Sequence, residues 1–358
     1  MNIFTKSITR KISRPAYAIR TLINDSVSVK EKKIGIIGMG NVGTAVANNL
    51  LRNNYKLTSI IDIEAKKCEG YPCKVGKTAR EVVEDCDVIV SALPKPVHIK
   101  QAFEGPDGML AGMSPGKIWI DHSTTDFKQT EEQTKVLEEK QCYLLESPIT
   151  GGLEALRKGQ MTVLVAGNKD AFDHTYDLQN ASYQTVLYTG GAGSALIPKV
   201  ISNMLCAMVT IAAGEALVVC KKAGMDVKHT YDIIRATAGN SFAWETAVPM
   251  IAQGDYGTAF TLDLFCKDNQ LMHDIARQYN VPIELMSHVQ QMYNRALAMY
   301  GPDAPCYSPA KIVEDATGVR LQDEGFKNWE YSVEDVDGSL VVRHDGIETK
   351  RTGHPMPK

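Results

Sequence analysis

The chain has 358 residues, of which 44% are hydrophobic and 23% are charged, a composition typical of globular proteins with a sizeable core. Its length predicts two domains, because a domain commonly holds about 100–200 residues. The formal net charge is −3, but residues 1–24 carry five basic side chains and no acidic one, so the remainder carries −8. This mildly acidic body argues against a general nucleic-acid binder and against docking on anionic membranes.

Cysteine and histidine usage gives no sign of a metal site. The eight cysteines form no CxxC pair, most of them lie in apolar stretches, and the eight histidines are dispersed. This pattern predicts reduced, buried thiols and no bound metal. The longest apolar run, residues 204–213, is shorter than the ~20 residues that span a bilayer, and it predicts a buried helix.

From residue 33 onward, short apolar runs alternate with helical patterns. Most of the runs are rich in β-branched residues and bounded by Gly, Pro, Asp or Asn, as strands are. The predicted strands cover residues 33–37, 57–62, 88–93, 118–121, 142–146, 162–166 and 185–188. Helical patterns lie between them, for example at residues 42–53 and 128–140. The alternation predicts an α/β domain of the Rossmann type, with a doubly wound, mostly parallel sheet.

The pattern changes after a glycine-rich stretch at residues 190–193. Residues 195–223 predict one long helix, and further helices are predicted over residues 227–236, 263–278 and 282–299 with no strand among them. The second domain is therefore predicted to be all-helical. The predicted division is a basic extension (1–32), a Rossmann-type domain (33–195), an all-helical domain (196–320) and a polar C-terminal extension (321–358). In the last, two Asp-Gly turn signals flank residues 339–343, which predicts a small hairpin.

The first predicted strand runs directly into the sequence GMGNVG, residues 38–43, and then into a helical pattern. In such a unit Gly38 permits the tight turn, Gly40 lets the backbone approach a pyrophosphate, and Gly43 lets the helix pack close to the strand. The N-terminus of the helix offers N–H groups and a partial positive charge to phosphates. The unit predicts a dinucleotide-binding site.

An acidic residue at the end of the second strand indicates which dinucleotide binds. Asp62 can accept hydrogen bonds from both ribose hydroxyls and would repel a 2′-phosphate, which favours NAD. Lys66 and Lys67 follow it and could accommodate a phosphate, so NADP is the alternative.

Three further segments carry groups suited to chemistry. Residues 121–125 (DHSTT) follow a strand end, where open α/β sheets place their ligand sites. Residues 148–152 (PITGG) follow another, and two consecutive glycines can present backbone N–H groups to an anion. The third segment begins the long helix, where Lys199 and Asn203 are four residues apart and therefore share one helix face.

Together with the glycine turn, these segments resemble those of the β-hydroxyacid dehydrogenase family, whose best-known member is 3-hydroxyisobutyrate dehydrogenase. The resemblance covers about residues 33–320 and five motifs in the same order, GxGxxG, DxSTxxP, PVSGG, GxGxxxKxxNN and KDLxLA. The residues that carry it are Gly38, Gly40, Gly43, Asp121, Ser123, Thr124, Pro148, Gly151, Gly152, Gly193, Lys199, Asn203, Lys267, Asp268 and Leu271.

The sequence departs from these motifs near the expected pocket. The departing residues are Phe127, Thr150, Ala195, Ser202 and Asn269, which stand where the family has Pro, Ser, Gly, Asn and Leu. Because Lys199 and Asn203 are retained, the reaction type is expected to be kept, whereas the substrate is left open.

The resemblance implies hydride transfer between C4 of a nicotinamide cofactor and the hydroxyl-bearing carbon of a small 3-hydroxy acid. Lys199 would be the acid/base, since burial lowers the pKa of a lysine from about 10.4, and Asn203 would hold the substrate. The implied substrate-binding residues are Ser123, Thr124, Thr150, Gly151, Gly152 and Asp268. The implied cofactor-binding residues are Gly38, Met39, Gly40, Asn41, Val42, Gly43, Asp62, Leu93, Pro94 and Lys267.

Two alternatives stay open at this point. One is a reductase or dehydrogenase of the same type for tartronate semialdehyde, glyoxylate or threonate. The other, of a different class, is a non-catalytic cofactor-binding scaffold, although its usual mark, loss of the catalytic lysine, is not found. The resemblance also implies a small carboxylate substrate and a homodimer or homotetramer, with no nucleic-acid or membrane partner.

The basic N-terminal segment lies outside the region of resemblance. Its arginines, its serines and threonines and its lack of acids are typical of a mitochondrial presequence, and it lacks the apolar core of ~7–15 residues of a secretory signal. The mitochondrial matrix is therefore the expected location. A short basic arm on a cytoplasmic protein is the alternative.

Overall fold

The computed structural model describes residues 28–257, 260–330, 332–336 and 339–342. Residues 1–27, which are most of the segment for which a presequence is predicted, lie outside the described residues, as do the Asp-Gly signals at residues 337–338 and 345–346. The described chain forms a nine-stranded sheet flanked by helices, then a helical domain and a two-stranded hairpin.

The sheet follows from the alternation of strand and helix patterns. Its strands are β1 (Ile34–Ile37), β2 (Leu57–Ile61), β3 (Lys74–Val75), β4 (Val88–Ser91), β5 (Ile118–Asp121), β6 (Tyr143–Glu146), β7 (Ile149–Thr150), β8 (Thr162–Gly167) and β9 (Thr185–Gly190). They lie in the order β3-β2-β1-β4-β5-β6-β8-β7, with β9 paired to β8. The β6–β8 and β7–β8 pairs are antiparallel and the other pairs are parallel, so the predicted mostly parallel sheet is confirmed.

The helices that accompany the sheet are α1 (Asn41–Arg52), α2 (Ala79–Asp85), α3 (Pro96–Phe103), α4 (Met109–Gly112), α5 (Phe127–Glu139), α6 (Leu153–Arg157) and α7 (Lys169–Asn180). They cover both faces, because alternate strand residues enter separate apolar clusters. Val88 and Val90 of β4 join the cluster that contains α1, whereas Ile89 joins the cluster that contains α2 and α3. This two-sided burial is why the central strands are almost continuously apolar in sequence.

The carboxyl ends of the central strands meet at one edge of the sheet. There β1 leads into the turn at Gly38, β4 leads towards Leu93, and β5 and β6 end at the paired residues Asp121 and Glu146. This is the edge at which open α/β sheets bind ligands.

The second domain begins with the 27-residue helix α8 (Leu196–Lys222). The helices that follow are α9 (Val227–Arg235), α10 (Phe242–Gln253), α11 (Leu262–Gln278), α12 (Glu284–Tyr300) and α13 (Ala310–Thr317). All of them contact α8, which is therefore the centre of a helical domain, as predicted. The proposed boundary near residue 195 falls in the connection between β9 and α8.

Among the described helices, α8 is the one whose length and composition would allow it to cross a membrane. These properties are weak evidence, because the central helix of a helical domain meets the same test. Here the helix is packed among its neighbours and carries a buried lysine, Lys199.

The C-terminal extension contacts both domains. After a 3-10 turn at Glu324–Phe326, strands β10 (Val333–Val336) and β11 (Ser339–Val342) pair antiparallel, with the first Asp-Gly signal between them in the sequence. Phe326 is buried in the helical-domain core, and Val342 is buried against the core beneath the sheet. The segment predicted to form a hairpin thus supplies the second strand, β11, of the observed one, and this strand contacts α10 of the helical domain.

Candidate active site

A cleft of about 2030 Å³ lies between the carboxyl edge of the sheet and the helical domain. With one exception, every residue expected from the sequence to bind cofactor or substrate, or to act in catalysis, lines this cleft. The exception is Gly43, which is buried beneath the glycine turn. The structure therefore brings residues from five separate motifs to one place.

The glycine turn has the geometry to bind a dinucleotide through its backbone. A Cβ at Gly43 would lie 1.9 Å from the carbonyl oxygen of Gly38, whose φ is +93°, so this close packing of α1 requires glycine. By contrast, a Cβ at Gly40 would meet no described atom within 4 Å, which leaves open space for a pyrophosphate. Gly40 begins α1 without a capping side chain, so the helix N-terminus can receive an anion. These residues fit NAD or NADP.

Asp62 is held against the glycine turn. One carboxylate oxygen accepts a hydrogen bond from the Met39 N–H at 2.7 Å, and the other accepts from the Glu64 N–H at 2.8 Å. Because an ionised carboxylate has about four acceptor sites, ribose hydroxyls can still donate to it. Lys67, one of the two lysines that could accommodate a phosphate, is paired with Glu64 at 2.6 Å.

Lys199 begins a row of polar side chains, in which Lys199 and Asp268 are buried and Asn203 is half-buried. Lys199 lies on the first turn of α8 and is only 7% exposed. Its Nζ donates to Asn203 Oδ1 at 2.7 Å, and Asn203 Nδ2 donates to Asp268 Oδ2 at 2.5 Å. Burial lowers the pKa of Lys199, and the nearby Asp268 carboxylate partly opposes this effect. A lysine in this setting can exchange a proton more readily than an exposed one.

Lys267 and Asp268 extend this row to the sheet. Lys267 Nζ lies 2.9 Å from Asp268 Oδ1 and donates to the carbonyl oxygen of Thr124 at 2.6 Å. Asp268 is 2% exposed, so the ion pair lies in the interior of the cleft wall. Residues of α11 thus fix the loop after β5 to the helix that carries Lys199.

Ser123 is tied into the edge of the sheet. Its hydroxyl oxygen accepts from the Leu93 N–H at 2.9 Å and hydrogen-bonds to the Asp121 carboxylate. That carboxylate also accepts from the Ser91 hydroxyl at 2.7 Å and from the Ser123 N–H at 3.1 Å. Because the single O–H of Ser123 is directed to Asp121, this residue holds the loop that presents Thr124 to the cleft.

The glycines expected to bind an anion have the backbone conformation that such a site needs. Gly151 and Gly152 have φ values of +130° and +91°, a region that glycine adopts without strain. The preceding Thr150 pairs with Thr162 of β8, and this anchors the turn to the sheet. A turn of this kind can direct peptide N–H groups at a carboxylate.

His122 lines the cleft, and both of its ring nitrogens contact residues of the sheet domain. Its Nδ1 lies 2.8 Å from the Ser147 carbonyl oxygen, and its Nε2 lies 3.1 Å from the Tyr183 hydroxyl. Burial lowers the pKa of His122 to about 4, so the ring is neutral near pH 7. The histidine therefore links neighbouring segments of the sheet domain through both ring nitrogens.

Two of the departures from the family motifs have visible consequences. The Phe127 ring packs against Gly193, where a Cβ would lie 1.9 Å from Phe127 Cε2. Asn269 is 1% exposed, and neither atom of its amide has a hydrogen-bond partner among the described residues. An apolar side chain would suit the second position better.

Part of the cleft wall could not be found from the sequence. Phe242, at the start of α10, lines the cleft and is 38% exposed, and Cys206 and Tyr307 line it near Lys199. Ser241 caps α10, and a serine before an apolar run is a signal for the start of a helix. No sequence signal shows that this first turn faces the sheet domain.

A Rossmann-type sheet with a glycine turn fitted to a dinucleotide, joined to a helical domain that supplies a buried lysine, defines an NAD(P)-dependent oxidoreductase. A family model described as the NAD-binding domain of 6-phosphogluconate dehydrogenase matches residues 33–190. A second, described as NAD-binding of NADP-dependent 3-hydroxyisobutyrate dehydrogenase, matches residues 191–312. The chain belongs to the β-hydroxyacid dehydrogenase family, as the five motifs predict, and its cofactor is NAD or NADP.

Individual relatives agree with this membership. The chain is 29% identical over 290 residues to mitochondrial 3-hydroxyisobutyrate dehydrogenase of Mus musculus, a match that covers 78% of this chain and 86% of that protein. It is 27% identical to cytokine-like nuclear factor N-PAC of Homo sapiens, covering 78% of this chain and 51% of that protein. The crystal structure of 3-hydroxyisobutyrate dehydrogenase from Salmonella typhimurium has a TM-score of 0.69 and 26% identity, covering 78% of this chain and 99% of that one.

Proposed function

We propose that the protein is an NAD-dependent dehydrogenase of the 3-hydroxyisobutyrate type, which interconverts a small 3-hydroxy acid and its semialdehyde. The observation that carries this proposal is the row Lys199–Asn203–Asp268 in the cleft that also contains the glycine turn. When bound, the nicotinamide accepts or returns the hydride. The residues of the chain bind and orient the substrate and move its proton.

Lys199 is the proposed acid/base. In the oxidation direction its neutral amine takes the proton of the substrate hydroxyl, and in the reduction direction its ammonium returns that proton. Burial lowers the pKa of Lys199 and so favours the neutral form. The amide of Asn203 accepts from Lys199 and donates to Asp268, so both of its ends are fixed and Nζ is held in one place.

The substrate carboxylate is proposed to bind at the Gly151–Gly152 turn, with Thr124 and Thr150 beside it. These residues line the cleft together with Lys199, so a carboxylate held there would orient the hydroxyl-bearing carbon. Ser123 and Asp268 support this site through the hydrogen bonds that hold Thr124 and Asn203.

Asp62 supports a preference for NAD. Its carboxylate is fixed beside the turn, where it would accept from ribose hydroxyls and repel a 2′-phosphate. The ammonium of Lys67, which could neutralise such a phosphate, is paired with Glu64.

Substrate and cofactor are tested together in one panel. Turnover of 3-hydroxyisobutyrate, tartronate semialdehyde, glyoxylate and threonate is measured with NAD or NADH and with NADP or NADPH. We expect the highest kcat/KM for 3-hydroxyisobutyrate with NAD. No turnover of this substrate, with turnover of another, would move the assignment to that substrate. Binding of NAD with no turnover of any of these substrates would support the scaffold alternative. The likeness to a nuclear factor is a reason to test this alternative.

We also propose a homo-oligomer formed through α8. Three apolar residues of this helix are exposed at positions that share one face, Ala212, Ala216 and Val219. Val219 is 67% exposed, and a stripe of this kind is typical of a helix that pairs with another copy. Val219→Asp should shift the mass measured by light scattering towards that of the monomer, and an unchanged mass would contradict pairing at this face.

Location in the mitochondrial matrix remains a proposal from the basic N-terminal segment. The name of the mouse relative is that of a mitochondrial enzyme, which supports it. Residues 1–32 fused to a fluorescent protein should direct it to mitochondria, and a cytoplasmic signal would favour the basic-arm alternative.

A further inference from the structure

The helix that carries Lys199 has no capping side chain of its own. Its N-cap residue is Ala195, and its first turn contains no acidic residue. In contrast, α5, α7, α9, α10 and α11 each begin after an Asp, Asn, Ser or Thr whose side chain accepts a first-turn N–H. The first N–H groups of any α-helix lack intrahelical partners and need acceptors from elsewhere.

An acceptor next to this helix start comes from the sheet domain. Glu146, the last residue of β6, accepts through Oε1 from the Gly193 N–H. The backbone N–H groups of Ala195 and Leu196 lie close enough to this carboxylate to lower its pKa. Glu146 is 3% exposed and paired in register with Asp121 of β5. A carboxylate fixed in the sheet thus binds the segment that leads into a helix of the other domain.

Burial of the Glu146 carboxylate carries an unfavourable free energy of desolvation. Burial raises the pKa of Glu146 to about 7, with a smaller contribution from the charge of Asp121, although the three backbone N–H groups oppose the rise. An uncharged residue at this position would avoid the desolvation of a charge. Buried carboxylates with strongly shifted pKa values are concentrated at functional sites. The burial and the cross-domain contact together point to a role beyond packing.

The segment that Glu146 holds is also fixed from a second side. Gly193 has a φ of +90° and lies against the Phe127 ring at the start of α5. The residue is therefore held between a carboxylate from β6 and a ring from α5. Six residues later comes Lys199, so a shift of this segment is transmitted along the first turn of α8 to Nζ.

We propose that Glu146 is a positioning residue for the reaction, because by binding the segment that leads into α8 it sets where Lys199 lies relative to the cofactor-binding edge. The inference rests on the proposed function, since it requires Lys199 to be the acid/base. Glu146 acts through the helix and does not touch the reacting atoms.

The test is Glu146→Gln in the full chain. This change keeps the size of the side chain but places an NH2 donor where the helix presents its own N–H groups. We expect kcat to fall by about 10- to 100-fold, because a displacement of about 1 Å at a reacting group can cost that much. KM for the hydroxy acid and Kd for NAD should stay unchanged, because the glycine turns that bind both ligands are untouched.

The control is Asp226→Ala, which removes the side-chain cap of α9. Asp226 caps α9 through the same kind of carboxylate-to-backbone bond, but it lies outside the wall of the cleft. Both variants should lower Tm, and only Glu146→Gln should lower kcat. Glu146→Asp serves if the Gln variant does not fold, since it keeps the charge but withdraws the carboxylate by about one C–C bond, ~1.5 Å. It should lose kcat, with KM and the Kd for NAD again unchanged.

Lys199→Ala, measured in the same assays, distinguishes a failure of the positioning role of Glu146 from a failure of the proposed function. If Lys199→Ala is inactive and folded Glu146→Gln or Glu146→Asp keeps the wild-type kcat, the positioning role is wrong and the proposed function stands. An equal fall of kcat in Asp226→Ala would show a general effect of lost stability and would also overturn the role. If Lys199→Ala keeps its activity, the proposed function fails first.

Discussion

The helices α1 and α8 both reach the cleft without a capping side chain of their own, and they differ in what completes them. Gly40, at the start of α1, faces open space in which a pyrophosphate can lie. At the start of α8 the corresponding space is occupied by the Glu146 side chain, which accepts a hydrogen bond from the Gly193 N–H. At α1 the partial positive charge of the helix N-terminus is available to a ligand. At α8 the corresponding charge faces the Glu146 carboxylate.

This contrast shows that the two domains contribute different kinds of groups to the site. The sheet domain binds the cofactor through backbone groups. Particular positions of its glycine turn must therefore lack a side chain. The helical domain contributes the side chains of Lys199, Asn203 and Asp268, whose positions must be imposed by neighbouring groups. The substitutions below test each half of this division.

The largest effect on binding is expected at the glycine turn. Gly43→Ala would place a Cβ 1.9 Å from the Gly38 carbonyl oxygen, a backbone atom that cannot move without opening the turn. Overpacking of this kind costs about 1–3 kcal/mol, so Kd for NAD should rise by roughly 10- to 100-fold and Tm should fall. Gly40→Ala is the matched variant: it meets no described atom and should weaken NAD binding while leaving Tm unchanged. Wild-type binding by both variants would contradict backbone recognition at this turn.

The part of the site that uses the backbone is also the part that the sequence predicts best. Strand periodicity and the spacing of Gly38, Gly40 and Gly43 define local geometry, and local geometry needs no knowledge of distant residues. The sequence also predicts that Lys199 and Asn203 act together, because they lie four residues apart on one helix. Glu146 and Phe242 could not be predicted, since their roles depend on how two domains meet, which no local pattern records. Ser123 was found as a site residue, but its hydrogen bond to Asp121 could not be foreseen.

A smaller effect is expected at Asp62. Asp62→Asn keeps an acceptor for the Met39 N–H but removes the charge that would repel a 2′-phosphate. The ratio of kcat/KM with NADP to that with NAD should rise by about tenfold, equivalent to ~1.4 kcal/mol. Asp85→Asn, which alters an acidic residue outside the cleft wall, should leave the ratio as it is. A ratio unchanged in Asp62→Asn would show that this carboxylate does not select the cofactor.

The pH dependence should reveal the buried lysine. Oxidation needs neutral Lys199, so its rate should rise with pH through the pKa of this residue and then level off. Reduction needs the ammonium, so its rate should fall through the same pKa. Because burial lowers that pKa, both transitions should lie below the usual lysine value of about 10.4. Rates measured in both directions that rise together with pH would be incompatible with one acid/base group.

The smallest effect concerns stability in the helical domain. Asn269→Leu would remove a buried amide without a described hydrogen-bond partner and should raise the free energy of unfolding by about 1 kcal/mol. The comparison variant is Asn180→Leu, at the exposed end of α7, where no gain is expected. Thermal unfolding of both gives the answer. A loss of stability in Asn269→Leu would mean that the amide has a role that its contacts do not show.

The central claim is that a buried lysine of the helical domain moves the proton in a reaction whose cofactor is bound by the sheet domain. Its most direct test is Lys199→Ala, compared with Lys222→Ala at the exposed far end of the same helix. We predict that kcat falls by about 10²- to 10⁴-fold in the first variant, while the Kd for NAD stays at the wild-type value. A Lys199→Ala protein that binds NAD and turns over substrate as fast as Lys222→Ala would contradict the account.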